Sequence, residues 1–384
     1  MSTKQTKFRE ACQYGRIDVV RLLLADTRVN PAEDDNLAIR LACQNGHVDI
    51  VRLLLADNRV DPADDHNFAI REACRRGHIE VVQLLLADDR FNPADLNNLT
   101  IRWACQEGHI DVVRLLLADD RVDPTEFDNL AVQWACQNGH VDVVRLLLAD
   151  NRVNPADRNN LAIRWACQNG HIDVVRLLLA DNRVNPADLD NLAIRWACHY
   201  GRVDVVRLLL ADSRVNPADR NNDPIQWACT NGHTDVVRLL LADNRVNPAG
   251  YKNHAMRWAC EGGHNDVVRL LLADDRVDPA DNNNEAIQFA SQNGHVNVVC
   301  SLLMDPRINI HDVVSTYPEI VVKHGEDESF CALLALVGIQ PFCDKYGPLD
   351  PDVYSLDKLR HWQRTLYINL YKQGEEFRNG PYGV

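Results

Sequence analysis

The sequence predicts an all-α protein: a solenoid of helix–turn–helix units with projecting hairpin loops, stacked into a curved, elongated body. Three observations carry that expectation. The chain has 384 residues, more than a single hydrophobic core usually supports, so it is either several domains or one repetitive body. Slid against itself it returns one strong period of 31 residues, marked by Cys12, Cys43, Cys74, Cys105, Cys136, Cys167, Cys198, Cys229 and Cys260, with Ser291 as the tenth member. Each period also holds two short apolar-periodic segments divided by a glycine. Such a unit cannot bury its own apolar face and must stack on copies of itself.

One unit, Asn160 to Asp188, shows the elements in order. Leu161, Ile163, Ala166 and Cys167 fall on one helical face, with an Asn as N-cap and Gly170 as the left-handed residue that ends the helix. Asp173 places a negative charge in the first turn of a second helix. The apolar positions Val174, Val175, Leu177, Leu178 and Leu179 are too many for one narrow stripe, so this helix is expected between neighbours. Asn185-Pro186-Ala-Asp ends it and begins a turn, because Pro lacks a backbone donor and Asn tolerates left-handed geometry.

These residues resemble the ankyrin repeat. The family's Thr-Pro-Leu-His, Ala-Ala, Gly-His, Val-Val and Leu-Leu-Leu string corresponds to Leu161-Ala-Ile-Arg164, Ala166-Cys167, Gly170-His171, Val174-Val175 and Leu177-Leu178-Leu179. The unit is shorter than the family's usual length of about 33 residues, Thr-Pro is mostly Leu-Ala, and Asn replaces the usual loop glycine. The eighth copy recovers a proline in its first turn as Asp223-Pro224-Ile225-Gln226, a favoured helix start. Short units with Arg-Val-Asn-Pro loops look like the expanded ankyrin arrays of amoebae and of giant viruses. About ten repeats are expected over residues 1–312. Adding ten periods to Gly15, Asp18, Leu23, Leu24, Ala25 and Pro31 lands on Gly325, Glu328, Leu333, Leu334, Ala335 and Pro341, so 313–342 reads as a degenerate eleventh repeat. Residues 343–384 then form a tail whose stretch from Ser355 to about Gln373 is an amphipathic helix that caps the stack.

Apolar residues make up 46% of the chain and charged residues 25%, the balance of a folded soluble protein. A net charge of −14, from 41 Lys and Arg against 55 Asp and Glu, argues against a nucleic-acid partner, which needs a cationic surplus or stripe. No apolar run is long enough for a signal peptide or a bilayer span, so a cytoplasmic monomer with no membrane association is expected. There is no phosphate loop, His-Glu-x-x-His, nucleophile elbow or kinase signature, so no catalytic residue, metal or cofactor is expected. Equivalent residues in neighbouring repeats lie about 8–10 Å apart, beyond the reach of about 7 Å for a disulfide. The cysteine row therefore reads as compact core in a reducing compartment. The Gly-His row, from His47 to His295, is expected to fix the turn between helices by hydrogen bonding. The Asp18, Asp49, Glu80 and Asp111 row, three residues before Arg21, Arg52, Gln83 and Arg114, is a solvated face with weak ion pairs. Trp103, Trp134, Trp165, Trp196, Trp227 and Trp258 are expected to pack against the next repeat, with partial exposure on the concave face as the alternative.

Comparison of the copies separates positions that packing dictates from positions it leaves free. At the loop tip stand Asp34, Asp65, Leu96, Phe127, Arg158, Leu189, Arg220, Tyr251 and Asn282. Just before the glycine, Gln-Asn gives way to Arg75-Arg76, Gln106-Glu107, His199-Tyr200 and Glu261-Gly262. The resemblance implies that both places look inward on a concave groove and contact partners. Leu96, Phe127, Arg158, Leu189, Arg220 and Tyr251, with Arg75, Arg76, His199 and Tyr200, are thus the expected contact residues of a non-catalytic scaffold for a protein partner, since exposed aromatics and arginines dominate interface energetics. The alternative is a substrate-recruiting adaptor of a ubiquitin ligase or other host complex acting through the tail. Loop residues such as Asn154 and Asn185 also resemble sites modified by asparaginyl hydroxylases.

Overall fold

The computed structural model describes residues 3–309 and Val313. The eleventh repeat expected at 313–342 and the tail at 343–384 otherwise lie outside the described residues. Among the described residues there are twenty helices and no strand, in ten pairs running from Thr3–Gln13 with Ile17–Leu24 to Asp281–Gln292 with Val296–Leu303. The chain divides into two compact units, residues 1–193 and 194–384. Within each, consecutive first helices pack on one another and consecutive second helices do the same. No described helix is long and apolar enough to cross a membrane.

The repeat pattern explains the core. Ala166 and Cys167 close the first helix and are fully buried, as are Val174, Val175 and Leu178 of the second. Burial pushes the Cys12 thiol up to about 12 and raises those of Cys43 and Cys167 as well, so these side chains behave as small apolar residues. Of each leucine triplet from the second repeat to the ninth only the middle member is fully buried, Leu54, Leu85, Leu116, Leu147 and Leu178 among them; each such burial contributes about 1.5–3 kcal/mol. In the first repeat Leu22 is 74% exposed.

The turn between the helices is left-handed, as at Gly108 with φ 81°. Glycine is required there twice over, because an added Cβ would also lie 2.5 Å from Nδ1 of His140 in the next repeat. That ring hydrogen-bonds at the turn of the preceding repeat. Its Nε2 lies 2.8 Å from the Gln106 carbonyl oxygen, and His47, His78, His109 and His171 reach back in the same way. The histidine row therefore joins one repeat to the one before.

The loops between repeats are closed by side chains. Asp150 accepts hydrogen bonds from the backbone N–H and Nε of Arg152, at 3.0 and 3.1 Å. Arg152 in turn donates back to the Val122 and Leu117 carbonyls at 3.0 and 3.3 Å. Arg158, Asn159 and Asn160 then follow with φ of 52°, 56° and 57° before the right-handed helix begins, and the same left-handed turn recurs from Asp34–Asn36 to Asn282–Asn284. Left-handed geometry costs a non-glycine residue roughly 1–2 kcal/mol.

Two rows offset that cost. Asn160, expected as an N-cap, caps nothing in its own helix: its Nδ2 donates to Asp188 at 2.9 Å and its Oδ1 accepts the Asn185 N–H at 2.8 Å, both in the next repeat. The residue four positions on serves the turn's carbonyls. Arg164 donates to the Asn159 and Arg158 carbonyls at 3.1 and 2.7 Å, and Gln226 to that of Asn221 at 2.6 Å. Arginine and glutamine interchange along this row because both can supply the donor.

Candidate functional site

The first helices carry the candidate site. The loop-tip residues are the opening residues of the left-handed turns, and Leu96, Phe127, Leu189 and Tyr251 are between 40% and 65% exposed. Large side chains are rare in this conformation, and strained residues cluster at functional positions. Spacing of three to four residues puts the tryptophan row and the pre-glycine pair on one helix face, and the tip stands in the turn that leads into that helix. In the ninth repeat the Tyr251 ring lies 5.1 Å from His254, and His254 lies 4.1 Å from Trp258.

Within residues 1–193 an arginine from the preceding repeat stacks on this face. The Arg102 guanidinium sits 4.6 Å from the Phe127 ring centre and 5.9 Å from that of Trp134, and its Nη2 donates to the Leu96 carbonyl at 3.0 Å. Burial pulls the Arg102 pKa down. Such a contact is worth about 0.5–2 kcal/mol depending on desolvation. Arg71 lies likewise over Trp103. All six tryptophans are half-buried, and the arginines stacked on Trp103 and Trp134 come from the preceding repeat. Arg158 is exposed and paired with Asp128 at 3.0 Å, a surface contact of small energy. Leu96 and Leu189 present apolar side chains to solvent.

Arg75 and Arg76, expected as contact residues, also pair within their own repeat. Glu72 occupies the tryptophan position of the third repeat and is 7% exposed. Arg75 binds it through Nε and Nη2 at 2.9 and 2.7 Å, and Arg76 through Nε at 3.4 Å. The Arg75 hydrogen bonds foremost hold the Glu72 carboxyl below its usual range. This pair compensates a buried carboxylate.

Within residues 194–309, His199 is half-buried between Tyr200, at 4.7 Å, and Trp227, at 5.2 Å, while Tyr200 and Arg220 are exposed. Arg195 lies 4.9 Å from the Trp227 centroid. Consecutive repeats are also matched in pairs 28 residues apart: Arg195 with Asp223 at 2.8 Å, Gln226 with His254 at 2.9 Å, and Arg257 with Glu285 at 2.7 Å. Burial, and then the Arg257 charge, lower the His254 pKa. In residues 1–193 the corresponding second members are Phe68 or leucines such as Leu99 and Leu130.

The stacked arginine row and the asparagine row were not singled out from sequence. Both were signalled there, the first by the Arg–Gln alternation and the second by an Asn at every period from Asn36 to Asn284. Asn154, a residue resembling hydroxylation sites, is exposed, and its Oδ1 accepts the Ala156 N–H at 3.1 Å. The family model described as ankyrin repeats (three copies) matches residues 8–98, 39–128, 101–190, 165–249 and 243–312. No curated protein matches the chain.

Proposed function

Because the chain belongs to the ankyrin-repeat family, we propose that it is a non-catalytic scaffold whose first-helix faces bind a protein partner. Ankyrin repeats are generally protein–protein interaction modules. The observation that supports a site on these faces is the exposure of Leu96, Phe127, Leu189 and Tyr251 at the strained left-handed position that other copies fill with Asp, Asn or Arg. Tyr200 adds an exposed aromatic on the pre-glycine row. Aromatic anchors on a rigid framework contribute most of the energy at protein interfaces. The acidic balance of the chain favours a basic partner over a polyanion.

The test is affinity capture with wild-type chain and a Phe127→Ala, Tyr200→Ala, Tyr251→Ala triple variant, with a replacement of exposed Arg114 on a second helix as control. The expected result is loss of specifically captured protein in the triple variant alone, with unchanged melting. Capture indifferent to the three aromatics refutes the reading.

A further inference from the structure

A hollow of about 450 Å³ lies at the ends of the first helices of the eighth and ninth repeats, lined by Thr230, Trp258, Glu261 and Gly262. It opens where two side chains are shortened. The residue pair before the turn glycine begins with Gln in six copies and ends with Asn in five; here Thr230 stands in place of Gln, and Gly262 in place of Asn. The Gly262 backbone is right-handed helical, with φ −78° and ψ −8°, so its conformation does not call for glycine.

The lining has one electrostatic character. Trp258 and Glu261 are one helical turn apart and border the same space. Glu261 is exposed and has no ion-pair partner among the described residues. The nearest cation on its helix, Arg257, is held by Glu285 at 2.7 Å. His254, beside Trp258, is hydrogen-bonded to Gln226. An indole, a carboxylate and a hydroxyl thus surround a space that contains no cation of its own.

We infer that this hollow seats a basic side chain, lysine or arginine, of the protein partner, with its cation on the Trp258 ring and paired to Glu261. Aromatic rings and carboxylates both attract desolvated cations, and the net charge of −14 draws a basic segment toward the chain. Tyr200, exposed on the same row two repeats earlier, gives an extended segment a second contact. The inference rests on the scaffold reading and specifies what the partner presents.

The test titrates the full chain with the peptide Ac-Gly-Lys-Gly-NH2 and with its norleucine counterpart, following the Trp258 indole N–H by nuclear magnetic resonance. Wild type is compared with Glu261→Gln and Gly262→Asn, each of which installs the residue most common in its row, and melting curves verify the fold. Should Gly262→Asn melt early because its Cβ crowds the His264 ring, Thr230→Gln closes the hollow from the other side. The expected result is a saturable shift with the lysine peptide, roughly tenfold weaker binding for norleucine or for Glu261→Gln, and no shift once the hollow is filled. Equal binding of norleucine, an unchanged response in the filled variant, or no saturable shift in wild type overturns the inference. An inert hollow alongside capture that depends on Phe127, Tyr200 and Tyr251 leaves the scaffold reading standing; a responsive hollow with capture indifferent to those residues does the reverse.

Discussion

Asn160 donates its side-chain amide to Asp188 at 2.9 Å across the joint between two consecutive repeats. The same bond links Asn36 to Asp64 and Asn253 to Asp281. With the Oδ1 atoms accepting backbone N–H groups 25 residues on, these three buried amides are satisfied on both sides. Asn160→Ala removes both bonds and is expected to cost about 1–3 kcal/mol, read from the urea midpoint. Asn160→Asp sets a second carboxylate against Asp188, so its deficit is expected to exceed that of Asn160→Ala at neutral pH and to shrink in acid.

Leu96 holds φ 49° with no glycine to relieve it. Leu96→Gly is expected to raise the melting temperature or leave it unchanged, since removing a left-handed penalty of roughly 1–2 kcal/mol outweighs the entropy glycine adds to the unfolded chain. Leu96→Val, with a branched Cβ in the same conformation, is expected to lower it.

Acid is expected to weaken the loops. Asp57, Asp88, Asp119 and Asp150 have carboxyls held below their ordinary range, first of all by the side-chain hydrogen bonds of Arg59, Arg90, Arg121 and Arg152. A depressed folded-state pKa contributes stability that is present above the unfolded value of about 3.9 and lost as pH falls through the folded one. The contribution of these aspartates to unfolding free energy is therefore expected to be constant above about pH 5 and to decline below about pH 4. Asp119→Asn is expected to be less stable than wild type at neutral pH, with the gap closing as the acid limb is descended. A gap independent of pH contradicts this assignment.

Arg102 is charged, buried and without an ion pair, and its structural duty is to donate to the Leu96 carbonyl. Gln133 and Gln226 serve the same turn in other copies without a charge, through the carbonyl of its second residue, Asp128 or Asn221. Arg102→Gln is expected to change stability by less than about 1 kcal/mol, because the lost stacking on Phe127 is offset by a smaller desolvation cost. Arg102→Met, which removes the donor, is expected to be the more damaging.

The helix pairs, the glycine turn and the cysteine core were legible in the sequence because periodicity and side-chain size report burial directly. Asn160 was misassigned because Asn before an apolar run is also the signature of an N-cap, and only the position of the next repeat reveals where its amide is satisfied. The hydrogen-bonding part of the histidine row was legible, but not that each ring reaches the turn one repeat back, because a bond spanning 34 residues leaves the same sequence trace as a local one. Arg75 and Arg76 looked free because their partner, Glu72, departs from its own row, and the compensation is visible only when the two rows are read together. The exposed tips were identified correctly as variable positions, but their left-handed backbone has no single-residue signal in Leu96, Phe127 or Arg158.

The bonds at each joint are set by sequence offset: 25 and 28 residues forward from Asn160, and 30 and 35 residues back from Arg152. A 31-residue cassette inserted at any of the uniform joints leaves every one of these offsets intact, so lengthening there introduces no mismatched end. From Arg195 onward the joints are keyed, Arg195 to Asp223 and Arg257 to Glu285, and swapping cassettes there would set an unlike pair face to face. A uniform joint can grow by copying, whereas a keyed one keeps its order.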